Sequence, residues 1–104
     1  MTEIMNQDNY EDGVLTIYLT GRITADVITD IEVDVLSSIE ANNPEHVVLN
    51  FGDVEYISSA GLRMIMKLVK QGRDVSIIEV SDEVYEITEM TGFTSMMTIE
   101  KKRS

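Results

Sequence analysis

The chain has 104 residues, of which 43% are hydrophobic and 26% charged, and its formal net charge is −11. That length supports one domain with one core, and the lack of cysteine excludes disulfides, thiolate metal sites and cysteine nucleophiles. The negative field repels nucleic acid and anionic membrane surfaces, and no apolar run reaches the roughly 20 residues of a membrane span.

The N-terminus, Met1 to Asn6, has neither the basic nor the apolar region of a signal peptide, so a cytoplasmic protein is expected. Ile4 and Met5 can start a first strand, with Asp12-Gly13 as a hairpin turn into the β-rich run Val14 to Leu19. Asp26 to Ala41 predicts a helix, because Ile28, Ile31, Val35 and Ile39 recur at spacings of three and four. Asn42-Asn43-Pro44 ends it. Val47 to Phe51 is continuously apolar and predicts a central strand buried on both faces.

The segment from Asp53 to Leu62 carries the most functional information. It leads from that strand into a second helix, for which Leu62, Ile65, Met66 and Val69 form the expected core stripe and Gly72 the stop. Val75 to Val80 predicts a strand. Asp82 to about Met90 predicts a third helix with Val84, Ile87 and Met90 inward, closed by Thr91-Gly92-Phe93, and Met96 to Ile99 predicts a last strand. The order is β-β-α-β-α-β-α-β: one α/β domain over residues 1–104, with a mostly parallel sheet of four to five strands and three main helices. Residues 101–104 are expected to form a flexible tail.

Ser58 and Ser59 sit where the chain enters the second helix. The first N–H groups of a helix lack internal partners and that end is partly positive, so a serine there can cap the helix, act as a nucleophile or carry a phosphate. No Glu or Gln follows either serine by three residues, so there is no capping box. Gly61 costs a helix about 1 kcal/mol relative to alanine, which points to a low patch of Ala60 and Gly61 for close approach of a partner. A nucleophile needs a base. The sole histidine, His46, opens the third strand, at the end away from the serines, and is expected in solvent. The glycine-flanked serine elbow of hydrolases is absent. A catalytic site is therefore not expected. No metal-ligating cluster and no glycine-rich phosphate loop occurs either, so no metal or cofactor is expected.

At 100° per residue, Ala60, Arg63, Met64, Lys67 and Gln71 lie opposite the expected core stripe of the second helix. Arg63 and Lys67 are two of only eight basic side chains. With Met64 as a flexible apolar contact, they read either as a partner-binding face or as a solvated one. Asp26, Asp30 and Asp34 repeat at four-residue spacing on the first helix, a mild repulsion that a basic partner would relieve.

The order of elements, with Leu19-Thr20-Gly21, Val48-Leu49-Asn50, Ile57-Ser58-Ser59-Ala60-Gly61-Leu62 and Met90-Thr91-Gly92-Phe93, resembles the STAS domain family over nearly the whole chain. The resemblance to its small bacterial members implies an anti-sigma factor antagonist, a non-enzymatic switch in transcription regulation. In that family the loop usually reads Asp-Ser-Ser/Thr-Gly-Leu and the serine after the aspartate is phosphorylated. Aligned on Gly61-Leu62, that serine is Ser59; Ser58 replaces the aspartate and Ala60 the second hydroxyl residue. Thr24 stands where some members carry an acidic residue that touches the kinase. The implied partners are an anti-sigma factor that is itself a serine kinase of the histidine-kinase-like ATPase type and a PP2C-type phosphatase. Taken with the small-residue patch and the outer face of the second helix, the expected partner-binding residues are Ser58, Ala60, Gly61, Arg63, Met64, Lys67 and Thr24. The alternatives are a STAS subunit of a lipid-transport or stressosome-like assembly, or a small-ligand-binding domain.

Overall fold

Five strands form one sheet in the order β1-β2-β3-β4-β5, so the strands lie side by side in the order in which the chain makes them. The computed structural model describes residues 8–102, and the expected strand start at Ile4 and Met5 lies outside them. The elements are β1 (Asn9–Glu11), β2 (Val14–Ile23), α1 (Ile28–Asn42), β3 (His46–Ile57), α2 (Ser59–Lys70), β4 (Val75–Val80), α3 (Asp82–Met90), a 3-10 turn at Phe93–Ser95, and β5 (Thr98–Lys101). Only β1 and β2 pair antiparallel. Their turn is Asp12-Gly13, both with positive φ, as a two-residue hairpin with the sheet's own twist requires.

The other three pairings are parallel. Parallel crossovers are right-handed, and three of them stepping in one direction place α1, α2 and α3 on the same face of the sheet. Leu15, Ile17 and Leu19 of β2, Val47, Leu49 and Phe51 of β3 and Val75 and Ile77 of β4 are buried on that face with Ile31, Val35 and Ile39 of α1. Thr16, Val48, Asn50 and Ile78 alternate with them and are half-buried. The third strand is thus central, but it is fully buried on one face only, because among the described residues no helix crosses to the other.

Several boundaries and faces differ from the expectations. α1 begins at Ile28 because Asp26 is held in a turn, where the Thr24 hydroxyl donates to its carboxylate and Val27 N–H bonds to the Thr24 carbonyl. β3 runs six residues past Phe51, since β2 extends alongside it through Gly21↔Val54 and Ile23↔Ile57. α3 buries Val84 and Thr88, whose hydroxyl returns to the Tyr85 carbonyl at 2.6 Å, while Ile87 is half-buried and Met90 is 80% exposed. β5 starts at Thr98, after the 3-10 turn that seats Phe93 in the core. The expected tail is structured as far as residue 102: Lys101 pairs with Val80 and lies over the Tyr85 ring, and Lys102 N–H bonds to the Val80 carbonyl at 2.7 Å.

Glu79 carries a φ of 59° at the register shift between β4 and β5. A left-handed conformation costs a residue with a Cβ roughly 1–2 kcal/mol, which glycine avoids. Glu79→Gly is expected to raise stability by about 0.5–1 kcal/mol, after the entropy cost of a new glycine. Urea unfolding checks this against Glu79→Ala, which keeps the strain; a lower midpoint for the glycine variant contradicts it.

Candidate functional site

β2 and β3 end together, and that shared end creates the site. Ile23 pairs with Ile57, and Ser58 N–H bonds to the Ile23 carbonyl at 2.8 Å. The chain then enters α2 without a connecting loop. Ser58 has extended backbone angles, φ −86° and ψ 171°; its hydroxyl accepts from Gly61 N–H at 3.3 Å and its carbonyl from Leu62 N–H at 3.1 Å. Ser58 is therefore the N-cap. Ser59 is the first helical residue and is exposed, and among the described residues its hydroxyl has no hydrogen-bond partner. The two serines divide the roles that the sequence left open between them: one closes the helix end, the other faces solvent.

The cap leaves a defined electrostatic setting. Gly61 N–H is taken by Ser58, so Ser59 N–H and Ala60 N–H are the first-turn donors still without a helical partner. No acidic side chain lies in the first turn of α2. An anionic group on Ser59 would meet free N–H groups and the positive end of the helix dipole. Thr24 lies one residue past Ile23, so the turn after β2 adjoins this helix start. The Thr24 hydroxyl, with a further hydrogen bond from the Asp26 backbone, holds the Asp26 carboxyl below the usual carboxylate range, and Asp26 is ionised at neutral pH.

Two expected surface residues prove to be internal. Gly61 is buried, and a Cβ there would lie 2.7 Å from Ile57 Cγ1 and 3.0 Å from Ile23 Cγ2. The glycine lets α2 sit tightly on the strand ends; it does not leave a patch in solvent. Met64, expected on the outer face, is only 3% exposed. The core stripe is Leu62, Ile65 and Leu68 with Gly61 and Met64, while Met66 and Val69 are half-buried. The helix is turned from its expected phase because α1 packs beside it and covers the flank that carries Met64.

Between α1 and α2 runs a groove of about 210 Å³ lined by Ile28, Glu32, Ala60, Arg63, Met64 and Lys67. Of these Met64 is buried, Ile28, Glu32 and Ala60 are half-buried, and Arg63 and Lys67 are exposed. Lys67 pairs with Glu32 at 3.3 Å, whereas Arg63 has no ion-pair partner among the described residues. Ser58, Ser59, Ala60, Arg63, Lys67 and Thr24 thus share one region. Sequence reading missed Ile28 and Glu32, whose place in the groove depends on how α1 docks. It also missed Arg22, which stacks over Tyr56 at 4.7 Å on the neighbouring strand ends. Only the pairing register brings that couple together.

His46 lies at the far end of β3 from Ser58 and cannot serve as a base for either serine. It is not a free surface residue: Nδ1 is 2.7 Å from Asp74 Oδ2 and Nε2 is 3.0 Å from Ser76 Oγ. Among the described residues no cluster could hold a metal ion, and no helix is long and apolar enough to cross a membrane.

The α/β fold of order β-β-α-β-α-β-α-β is that of the STAS domain family, which matches residues 7–104. The chain belongs to that family. BtrV of Bordetella bronchiseptica, provisionally named an anti-sigma factor antagonist, is 31% identical over 96 residues, covering 88% of this chain and 82% of BtrV. An anti-sigma factor antagonist from Mycobacterium paratuberculosis has a similar structure, with a TM-score of 0.81 at 17% identity over 94% of this chain and 86% of that one. The Bacillus cell fate determinant SpoIIAA in its phosphorylated form superposes with a TM-score of 0.64 at 14% identity, over 91% and 90% of the two chains.

Proposed function

We propose that this domain is an anti-sigma factor antagonist whose binding face is the start of α2 and the α1–α2 groove, and that phosphorylation of Ser59 switches it off. Unphosphorylated, it binds an anti-sigma factor kinase of the histidine-kinase-like ATPase type and so frees a sigma factor. The kinase transfers phosphate from its own nucleotide to Ser59, and a PP2C-type phosphatase removes it. The observation that carries this reading is the division of labour between the serines: Ser58 is committed to the cap, and Ser59 is exposed at a helix N-terminus suited to an anion. The antagonist role is supported by the relatives that bear that name, and the switch by the existence of SpoIIAA, a domain of the same fold, in a phosphorylated form.

The test is to incubate the protein with its cognate kinase and ATP and map the phosphate by mass spectrometry. Phosphate is expected on Ser59 and none on Ser59→Ala. Phosphate on Ser58 that persists in Ser59→Ala overturns the assignment. A second measurement probes the face. Arg63 is exposed and has no ion-pair partner among the described residues, and such side chains usually change stability by less than about 0.5 kcal/mol. Arg63→Glu is expected to keep its melting temperature and bind the kinase at least tenfold more weakly, the scale of a lost charge contact of about 1.4 kcal/mol. Unchanged affinity in the folded variant removes α2's outer face from the interface.

A further inference from the structure

At the end of the domain opposite Ser59, the C-terminus of α2, the starts of β3, β4 and β5 and the 3-10 turn surround a second cleft, of about 400 Å³. Its volume falls within the ~300–1,000 Å³ of small-molecule sites. α2 spans the distance between the two ends, about 18 Å for its 12 residues. The lining brings His46, Arg73, Asp74, Ser95 and Thr98 together with the apolar residues Val69, Val75, Met96 and Met97. We infer that this cleft binds a small organic monocarboxylate with an apolar chain, its carboxylate on the Arg73 guanidinium and the Ser95 and Thr98 hydroxyls.

Arg73 is half-buried in a chain with 19 acidic and 8 basic residues, yet it has no ion-pair partner among the described residues. The adjacent carboxylate, Asp74, is engaged by His46 Nδ1, and His46 is fixed on its other side by Ser76 Oγ. The Arg73 loop is held at both ends: Arg73 N–H bonds to the Leu68 carbonyl at 3.1 Å, and the Asp74 carbonyl accepts from Val47 N–H at 2.8 Å. The guanidinium, on a backbone held at both ends, lines the cleft together with the Ser95 and Thr98 side chains and offers a two-pronged donor to a planar carboxylate. Asp74 at the rim and the net charge of −11 select a single negative charge over a phosphate dianion. The methionines, one of them 46% exposed at Met96, supply an adaptable surface for the chain of the ligand.

Titration of the ¹⁵N-labelled protein with hexanoate at constant ionic strength tests this, with hexan-1-ol and inorganic phosphate as parallel arms. Hexanoate is expected to saturate in the millimolar range and to shift the amides of Arg73, Asp74 and residues 95–98 while leaving those of Ser58 to Ala60 in place. Arg73→Gln should weaken binding about fivefold, the scale of an exposed ion pair worth about 1 kcal/mol, with the rest of the spectrum unchanged. Hexan-1-ol and phosphate should each bind more weakly than hexanoate. Shifts scattered over the surface, equal affinity in folded Arg73→Gln, or stronger binding of phosphate or hexan-1-ol than of hexanoate overturns the proposal.

Discussion

Phosphate on Ser59 is expected to weaken kinase binding at least about 30-fold, equivalent to about 2 kcal/mol, while the domain stays folded. The modification adds about −1.5 to −2 charges at the first residue of α2. The free N–H groups of Ser59 and Ala60 can donate to its oxygens, so the fold gains local contacts. Arg63 lies four residues on, one turn away on the same face, and has no ion-pair partner among the described residues. A phosphoserine can draw that guanidinium back onto itself, so one modification both places a bulky dianion on the binding face and withdraws a cation from it. Calorimetric titration of the kinase with the phosphoprotein and with the unmodified protein measures the loss, and amide NMR checks its locality. Shifts are expected at the end of β2, the start of α2 and Arg63. Shifts spreading into β4 and β5 mean a conformational switch, and undiminished affinity refutes the switch itself. Ser59→Asp, with one charge and a smaller group, should reproduce the direction with a smaller effect.

Gly61→Ala is expected to destabilise the domain by about 1–2 kcal/mol. The added methyl would stand 2.7 Å from Ile57 Cγ1, 3.0 Å from Ile23 Cγ2 and 3.1 Å from Ile57 Cδ1, and these belong to two strands already fixed by their pairing. Overpacking a core typically costs about 1–3 kcal/mol. Alanine's helix propensity returns at most about 1 kcal/mol, and less in a first turn. For a domain near this size, each kcal/mol lowers the melting temperature by roughly 4–8 °C. Combining the change with Ile57→Val, which removes the Cδ1 methyl, should recover part of the loss; a wild-type melting temperature in Gly61→Ala would falsify the packing account. The effect also bears on function. If α2 lifts to admit the methyl, the Ser58 hydroxyl loses Gly61 N–H and the serine pair loses its fixed geometry.

Features that depend on near neighbours in the chain were legible in the order of amino acids alone. Asp12-Gly13 makes the hairpin turn because its backbone angles favour those residues at that spot. Ile31, Val35 and Ile39 of α1 face the core because a spacing of four residues is itself a face. Ser58-Ser59 marks a helix start because a hydroxyl can satisfy an N–H group two or three residues ahead. Alternating strands and helices then imply parallel pairing, while the spatial order of the strands came from the structure.

What depends on partners distant in the chain emerged only from the packing of the elements. α2 carries apolar residues over much of its circumference, at positions 62, 64, 65, 66, 68 and 69. Periodicity fits more than one phase for such a helix, and the docking of α1 chose the phase that buries Met64 and half-exposes Met66 and Val69. β3 continues through Gly52 and Asp53, poor strand formers, because β2 runs alongside with its own register shifts. Lys101, polar and near the terminus, becomes a strand residue because β4 offers it an edge. Gly61 reads as a gap when only its own helix is considered, yet Ile23 and Ile57 fill the space beside it. His46 and Asp74 are 28 residues apart in sequence, and only the β3–β4 pairing brings them within 2.7 Å. Local chemistry fixes the order and type of the elements; how far each runs and which side faces inward is settled by the other elements, whose positions no short stretch of sequence contains.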